Sequence, residues 1–192
     1  MDRPEPSGTL RTFLALPLCD SFLQEITAFR DRNLKAFDGV RWLEPAEIHI
    51  TLHFFGTTVA SGLPKIRNMA GPVTQGFRPL NLKLEGTGFF PNPQKPRVFW
   101  LGTAGDTEAL ARLQRTVTED LQKEGFAVES RPFAPHATVG RIRHPDKFRI
   151  RQDVLFAPTP VRQIKRLVLY QSQLSSEGPH YEILESYPFA ES

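Results

Sequence analysis

The sequence predicts an α+β fold. Strand-like runs outnumber helical ones, and the helical runs fall between groups of strands rather than alternating with each strand. A short pattern, His-apolar-Thr-apolar, recurs at positions 49 and 136, 87 residues apart, which points to two similar lobes in one domain spanning 1–192. The composition suits such a core: 40% of the residues are hydrophobic and 23% charged, an ordinary globular balance.

After a Pro-rich leader, Thr9 to Leu16 (TLRTFLAL) reads as a strand. Asp20 or Ser21 then caps a helix to about Asn33, with Phe22, Leu23, Ile26 and Phe29 on one stripe. Ile48 to Phe55 is the next strand, bounded by Pro45 and Gly56. Leu63 to about Val73 reads as a helix that Gly71-Pro72 shortens. Leu80 to Leu84 and Arg97 to Leu101 follow as strands, with a turn through the proline-rich run from Pro91 to Pro96. Thr107 to Glu124 is a helix on the stripe Leu110, Leu113, Val117 and Leu121, closed by Gly125. Strands are expected again at Ala137 to Ile142, Lys165 to Ser172 and Tyr181 to Ser186.

Several function classes drop out. A single cysteine, Cys19, permits neither an internal disulfide framework nor a Cys-rich metal site. The first residues, MDRPEPSG, contain no apolar signal region, and no apolar run approaches the ~20 residues a membrane span needs. The expectation is therefore a cytoplasmic protein with no membrane association, acting as a monomer. The net charge of +3 is too mild to announce a nucleic-acid binder. Its distribution says more: Arg141, Arg143, Lys147, Arg149 and Arg151 face one acid, Asp146, and Arg162, Lys165 and Arg166 form a second knot. Such a stretch is either a solvated face or a phosphate-attracting rim.

The repeated pattern has chemical content. Side chains alternate along a strand, so His49 and Thr51 point one way while Ile50 and Leu52 point into packing. The same holds for His136 and Thr138 against Ala137 and Val139. Two such strands side by side would bring two imidazoles and two hydroxyls to one spot. Threonines can donate to phosphate oxygens, while one histidine takes a proton and the other gives one, with an ordinary pKa of about 6.5. A lone His-x-Thr is most often structural, and spacing alone leaves the matter open.

With their flanks, the two elements resemble the signatures of a known family. The run from Arg41 through Trp42, Pro45, His49 and Thr51 to Gly56, and the run from Arg131 through Pro135, His136 and Thr138 to Arg141, are similar to those of the two-histidine phosphoesterase superfamily. Within it they resemble the RNA 2′,3′-cyclic phosphodiesterase, or 2′-5′ RNA ligase, family. Arg11 to Leu16, Phe90 to Pro93, Arg97 to Trp100, Leu167 to Tyr170, Ser172, Leu174, Gly178 and Tyr181 extend the resemblance over nearly the whole chain. One departure is Gly140, where the family usually has alanine.

The resemblance implies His49 and His136 as the catalytic pair and Thr51 and Thr138 as phosphate ligands. It implies a bilobal α+β fold, with two antiparallel sheets forming a trench about a pseudo-two-fold axis and helices outside. It also implies no metal and no nucleotide cofactor. The substrate implied is RNA ending in a 2′,3′-cyclic phosphate, or a cyclic nucleotide, opened to a 2′-phosphate. His136 would act as base and His49 as acid. Run backwards, with an RNA 5′-hydroxyl replacing water, the same site would make a 2′-5′ linkage.

Other residues extend or compete with this reading. His53 shares the face of His49 and Thr51, so it either lengthens the cradle or is a solvated strand-end residue. Arg141 has the opposite parity to His136 and reaches a phosphate only if the strand twists or bulges. Phe13 and Arg11 share a face, which lets Phe13 stack a base while Arg11 meets a phosphate, although a strand phenylalanine is more often core. Two other function classes stand beside the enzyme: an RNA-binding module without turnover, and a metallohydrolase using His49, His53 and His136.

Overall fold

The computed structural model describes residues 8–149, 155–174 and 179–191. Strands β1 (Thr9–Pro17), β3 (His49–Val59), β8 (Arg166–Leu174) and β9 (Pro179–Pro188) form one antiparallel half, in the order β3-β1-β8-β9. Strands β6 (His136–Ile142), β5 (Val98–Gly105), β4 (Leu80–Phe90) and β7 (Arg162–Ile164) form the other, in the order β6-β5-β4-β7. The three-residue β2 (Val40–Trp42) pairs with β6 beyond the point where β3 leaves it. The two expected sheets are in fact joined edge to edge, by the single residue pair Ile50–Ala137 between β3 and β6. The joined sheet curls strongly and makes the trench.

The halves are built alike. In one, β1 leads through helix α1 (Asp20–Asn33) and back to its antiparallel neighbour β3. In the other, β5 leads through helix α3 (Thr107–Lys123) and back to β6. The helices then cross over. Phe29 of α1 meets Phe99 of β5 at 6.5 Å, and Arg162 of β7 reaches Glu25 of α1 at 2.5 Å while lying over the Phe22 ring. Helix α3 instead packs on β3 and on α2 (Leu63–Gln75), which covers β8 and β9.

The apolar stripes explain this packing. Leu110, Leu113, Val117 and Leu121 of α3 are fully buried, as their spacing predicts. In α1 Phe22, Ile26 and Phe29 are buried and Leu23 is partly so. Neither Asp20 nor Ser21 caps this helix: Cys19 takes the cap position through its carbonyl, which accepts from the Phe22 and Leu23 amides. Helix α2 runs on to Gln75, because Pro72 lies in its last turn and removes only one helical hydrogen bond. Strand β3 likewise continues past Gly56, which takes a φ of +67° inside the strand. The main core lies between the helices and the sheet, leaving the opposite, concave face to carry side chains of a different kind.

Candidate active site

Strands β3 and β6 are the centre of the sheet, and their first six residues share one burial pattern. Ile50, Leu52 and His53 are buried between the half-buried His49 and Thr51 and the exposed Phe54; Ala137, Val139 and Gly140 are buried between His136, Thr138 and Arg141 in the same way. The antiparallel pair Ile50–Ala137 lies on the local two-fold axis. Carried one residue each way, that register sets His49 across from Thr138 and Thr51 across from His136. The two histidines are then diagonal neighbours, with Cα atoms roughly 7–8 Å apart for regular strands.

The two adjacent buried residues in each strand mark a bulge. In β3 the register against β1 skips Leu52, since Leu14 pairs with His53 and Ala15 with Thr51. In β6 the register against β5 skips Val139, since Phe99 pairs with Gly140 and Trp100 with Thr138. A bulge adds a residue and inverts parity beyond it. It therefore turns Arg141 onto the face of His136 and Thr138. It turns His53 away from His49 and Thr51 into packing, where the ring lies 4.6 Å from Phe55 and meets the Ala127 carbonyl. His53 is neither a cradle residue nor a solvated strand end, and the three histidines do not converge as a shared metal site would require. Phe54 takes the place in the trench that Arg141 takes in the other half.

A pocket of about 200 Å³ opens where the strands meet. Thr51 and Thr138 line it with His49, and Arg11, Phe13, Leu43, Glu47, Phe54, Arg141, Ser172 and Tyr181 complete its walls; His136 is not among the lining residues. The Arg11 guanidinium sits 5.4 Å from the Phe54 ring centroid, within cation–π range. Phe13 borders the pocket but is only 2% exposed, which leaves its ring face covered rather than free to stack a base. Its ring stacks on the His49 imidazole at 4.7 Å and on Tyr170 at 5.0 Å, and Tyr181 packs edge-on against it. Glu47 turns its carboxylate to the Glu44 amide at 2.8 Å and to Arg41 at 3.8 Å.

Each imidazole is fixed by a backbone carbonyl two residues upstream. His136 Nδ1 lies 2.7 Å from the Ala134 oxygen, and because a carbonyl only accepts, Nδ1 carries the proton and Nε2 keeps its lone pair. The Glu47 carbonyl meets the His49 ring in the corresponding relation. Burial pushes the His49 pKa down to about 4, opposed by that carbonyl and aided by the charges of His136 and Arg141. Burial also lowers His136, against the Ala134 carbonyl. Both rings are neutral at pH 7. Burial raises Tyr181, whose hydroxyl feels Arg141, Arg41 and Arg11 on one side and Glu47 on the other.

Pocket residues the sequence left unassigned are Leu43, Glu47, Phe54, Ser172 and Tyr181. Ser172 belongs to β8, which pairs with β1, and Tyr181 to β9, which pairs with β8; neither pairing has a local signal in the sequence. Glu47 and Phe54 carried one, since both lie in the first signature. Of the basic stretch, Arg143, Lys147 and Arg149 are exposed, and Arg151 lies outside the described residues. Arg162 is engaged by α1 on the helix side of the sheet, away from the trench.

Known proteins match both the sequence and the fold. RNA 2′,3′-cyclic phosphodiesterase of Thermotoga maritima is 30% identical over 94% of this chain and 96% of its own. The protein of the same name from Archaeoglobus fulgidus is 34% identical over 93% and 99%. The crystal structure of TT0787 of Thermus thermophilus superposes with a TM-score of 0.79 at 23% identity, covering 94% of this chain and 98% of that one. The Escherichia coli LigT structure complexed with 3′-AMP superposes at 0.77 and 23% identity, covering 96% and 100%. Residues 18–174, which contain both histidine elements and the strands that pair them, match the 2′-5′ RNA ligase superfamily, and the chain belongs to that family.

Proposed function

We propose that the protein hydrolyses terminal 2′,3′-cyclic phosphates on RNA to 2′-phosphates by acid–base catalysis between His49 and His136. The reading rests on one observation above all: the Ile50–Ala137 pair sets the two His-x-Thr elements head to tail, and His49, Thr51 and Thr138 line one pocket together with Arg141. A cyclic phosphodiester placed there meets the hydroxyls of Thr51 and Thr138 and the charge of Arg141, which supply hydrogen bonds to its non-bridging oxygens. In this reading the two histidines serve the two sides of an in-line displacement at phosphorus. His136 Nε2 takes the proton of the attacking water as the new P–O bond forms. His49 gives its proton to the ribose 3′-oxygen as the P–O3′ bond breaks, leaving the phosphate on O2′. The charge of a bound phosphate favours the protonated imidazole, which supplies the proton donor that two neutral rings lack.

The same reaction and substrate stand in the names of the Thermotoga and Archaeoglobus relatives, which supports this reading. Both histidines come from one chain, so the site is complete in a monomer, and we place its work in the cytoplasm. The test is to treat an oligonucleotide ending in a 2′,3′-cyclic phosphate and identify the end group. A 2′-phosphate is expected; a 3′-phosphate would reverse the assignment of the leaving oxygen, and binding without product would make this an RNA-binding module.

A further inference from the structure

The trench is symmetric in backbone and asymmetric in its aromatic walls. On the His49 side Phe13 and Tyr170 are 2% and 8% exposed and shut against the imidazole. The corresponding wall beside His136 is open. Trp100 of β5 pairs with Thr138, so its ring lies on the trench face, and Phe90 of β4 stands 5.2 Å from it. The Phe90 and Trp100 rings lie 4.9 and 6.1 Å from the His136 ring, and both remain half-exposed. The sequence gives up a side chain to seat the indole: Gly88 is paired with Trp100, and a Cβ there would stand 2.1 Å from Trp100 Cζ2. The indole is thus laid flat against β4, with Phe90 beside it, outside the pocket that would hold the cyclic phosphate.

We infer that Phe90 and Trp100 form a stacking subsite for a second nucleoside, the one that presents a 5′-hydroxyl to the phosphorus. The inference rests on the proposed acid–base assignment. The nucleophile enters on the side of the base, His136, opposite the leaving 3′-oxygen at His49. Water needs no aromatic wall there, whereas a nucleoside does, because every base offers a π-face to an aromatic ring. With the subsite filled, O5′ attacks phosphorus, His136 accepts the O5′ proton, the P–O3′ bond breaks and O3′ takes a proton from His49. The product is a 2′-5′ diester with a free 3′-hydroxyl, formed without a further reactant. Hydrolysis and strand joining would then differ only in what occupies the Phe90–Trp100 wall.

The experiment compares two ligands by equilibrium binding to the whole protein: 2′-AMP, which fills only the phosphate pocket and its own nucleoside site, and 2′-5′-linked adenylyl-adenosine, which adds the second nucleoside. Wild-type protein is expected to bind the dinucleotide more tightly. Phe90→Ala is expected to weaken the dinucleotide roughly 5- to 150-fold, the range for one lost base stack, and 2′-AMP less than twofold. Trp100→Leu should do the same, and Phe90→Ala carries the test if the indole proves necessary for folding. Unchanged dinucleotide affinity in folded Phe90→Ala, or equal losses for both ligands, would overturn the subsite. Wild-type binding of 2′-AMP with no gain from the second nucleoside overturns it too and leaves the hydrolase reading standing. Wild-type failure to bind either ligand removes both.

Discussion

At the scale of single residues, the site depends on two inserted positions, Leu52 and Val139. Each gives its strand one extra residue against the neighbour, and each decides which side chain reaches the trench next: Phe54 in β3 and Arg141 in β6. Alternation located His49, Thr51, His136 and Thr138, because all four precede the bulges. It misplaced His53 and left Arg141 undecided, because both follow one, and nothing in the run Thr-Leu-His-Phe announces a register shift. The same neighbourhood sets the titration. Both imidazole pKa values are lowered, His49 to about 4, so both rings are neutral at pH 7. Turnover requires one ring protonated and one neutral, a state whose population grows as pH falls towards the higher of the two pKa values and vanishes below the lower. The pH profile of kcat/KM for a 2′,3′-cyclic nucleotide should therefore be a bell peaking below 6.5. Bound phosphate favours both imidazolium forms, so the kcat profile should be displaced to higher pH. A kcat/KM maximum at or above pH 7 would contradict the burial argument.

At the scale of elements, the long strands and all three helices were legible, since each carries a full apolar stripe or a run of β-branched and aromatic residues. The three-residue strands β2 and β7 were not, because three residues show no period and their pairing is decided wholly by β6 and β4. Strand β4 was read only to Leu84. It continues through Gly86 and Gly88, which look like turn residues in sequence but serve a register shift and the Trp100 ring. β2 also explains the glycine in the second signature. Gly140 pairs with Trp42, and a Cβ there would stand 2.4 Å from Cγ1 of Val40. Gly140→Ala should cost about 1–3 kcal/mol by overpacking. The midpoint of denaturant unfolding should show the loss, and Val40→Ala in the same chain should recover part of it. An alanine tolerated without loss would mean that β2 yields freely.

At the scale of the whole molecule, the pseudo-two-fold axis through Ile50–Ala137 lets one chain present both His-x-Thr elements, as the proposed acid–base pair requires. The weak four-residue echo in the sequence was its trace; the rest of the symmetry, strand-helix-strand in each half with exchanged helices, has no counterpart in residue identity. The charge is less symmetric. Arg141 and Arg143 lie two apart on β6 and its continuation, with exposed Lys147 and Arg149 following, so RNA leaving the pocket along that side passes a row of cations. Affinity for an oligonucleotide should fall more steeply with salt than affinity for a cyclic mononucleotide, through counterion release at each added phosphate contact. Equal salt slopes would place the RNA elsewhere.

The proposed mechanism requires two histidines on paired strands to share one phosphate. Steady-state turnover of 2′,3′-cyclic AMP by wild type, His49→Ala and His136→Ala tests it most directly. Each proton transfer typically contributes 10²–10⁴-fold, so each variant should lose at least about a hundredfold in kcat. Wild-type turnover in either folded variant would contradict the paired-histidine mechanism.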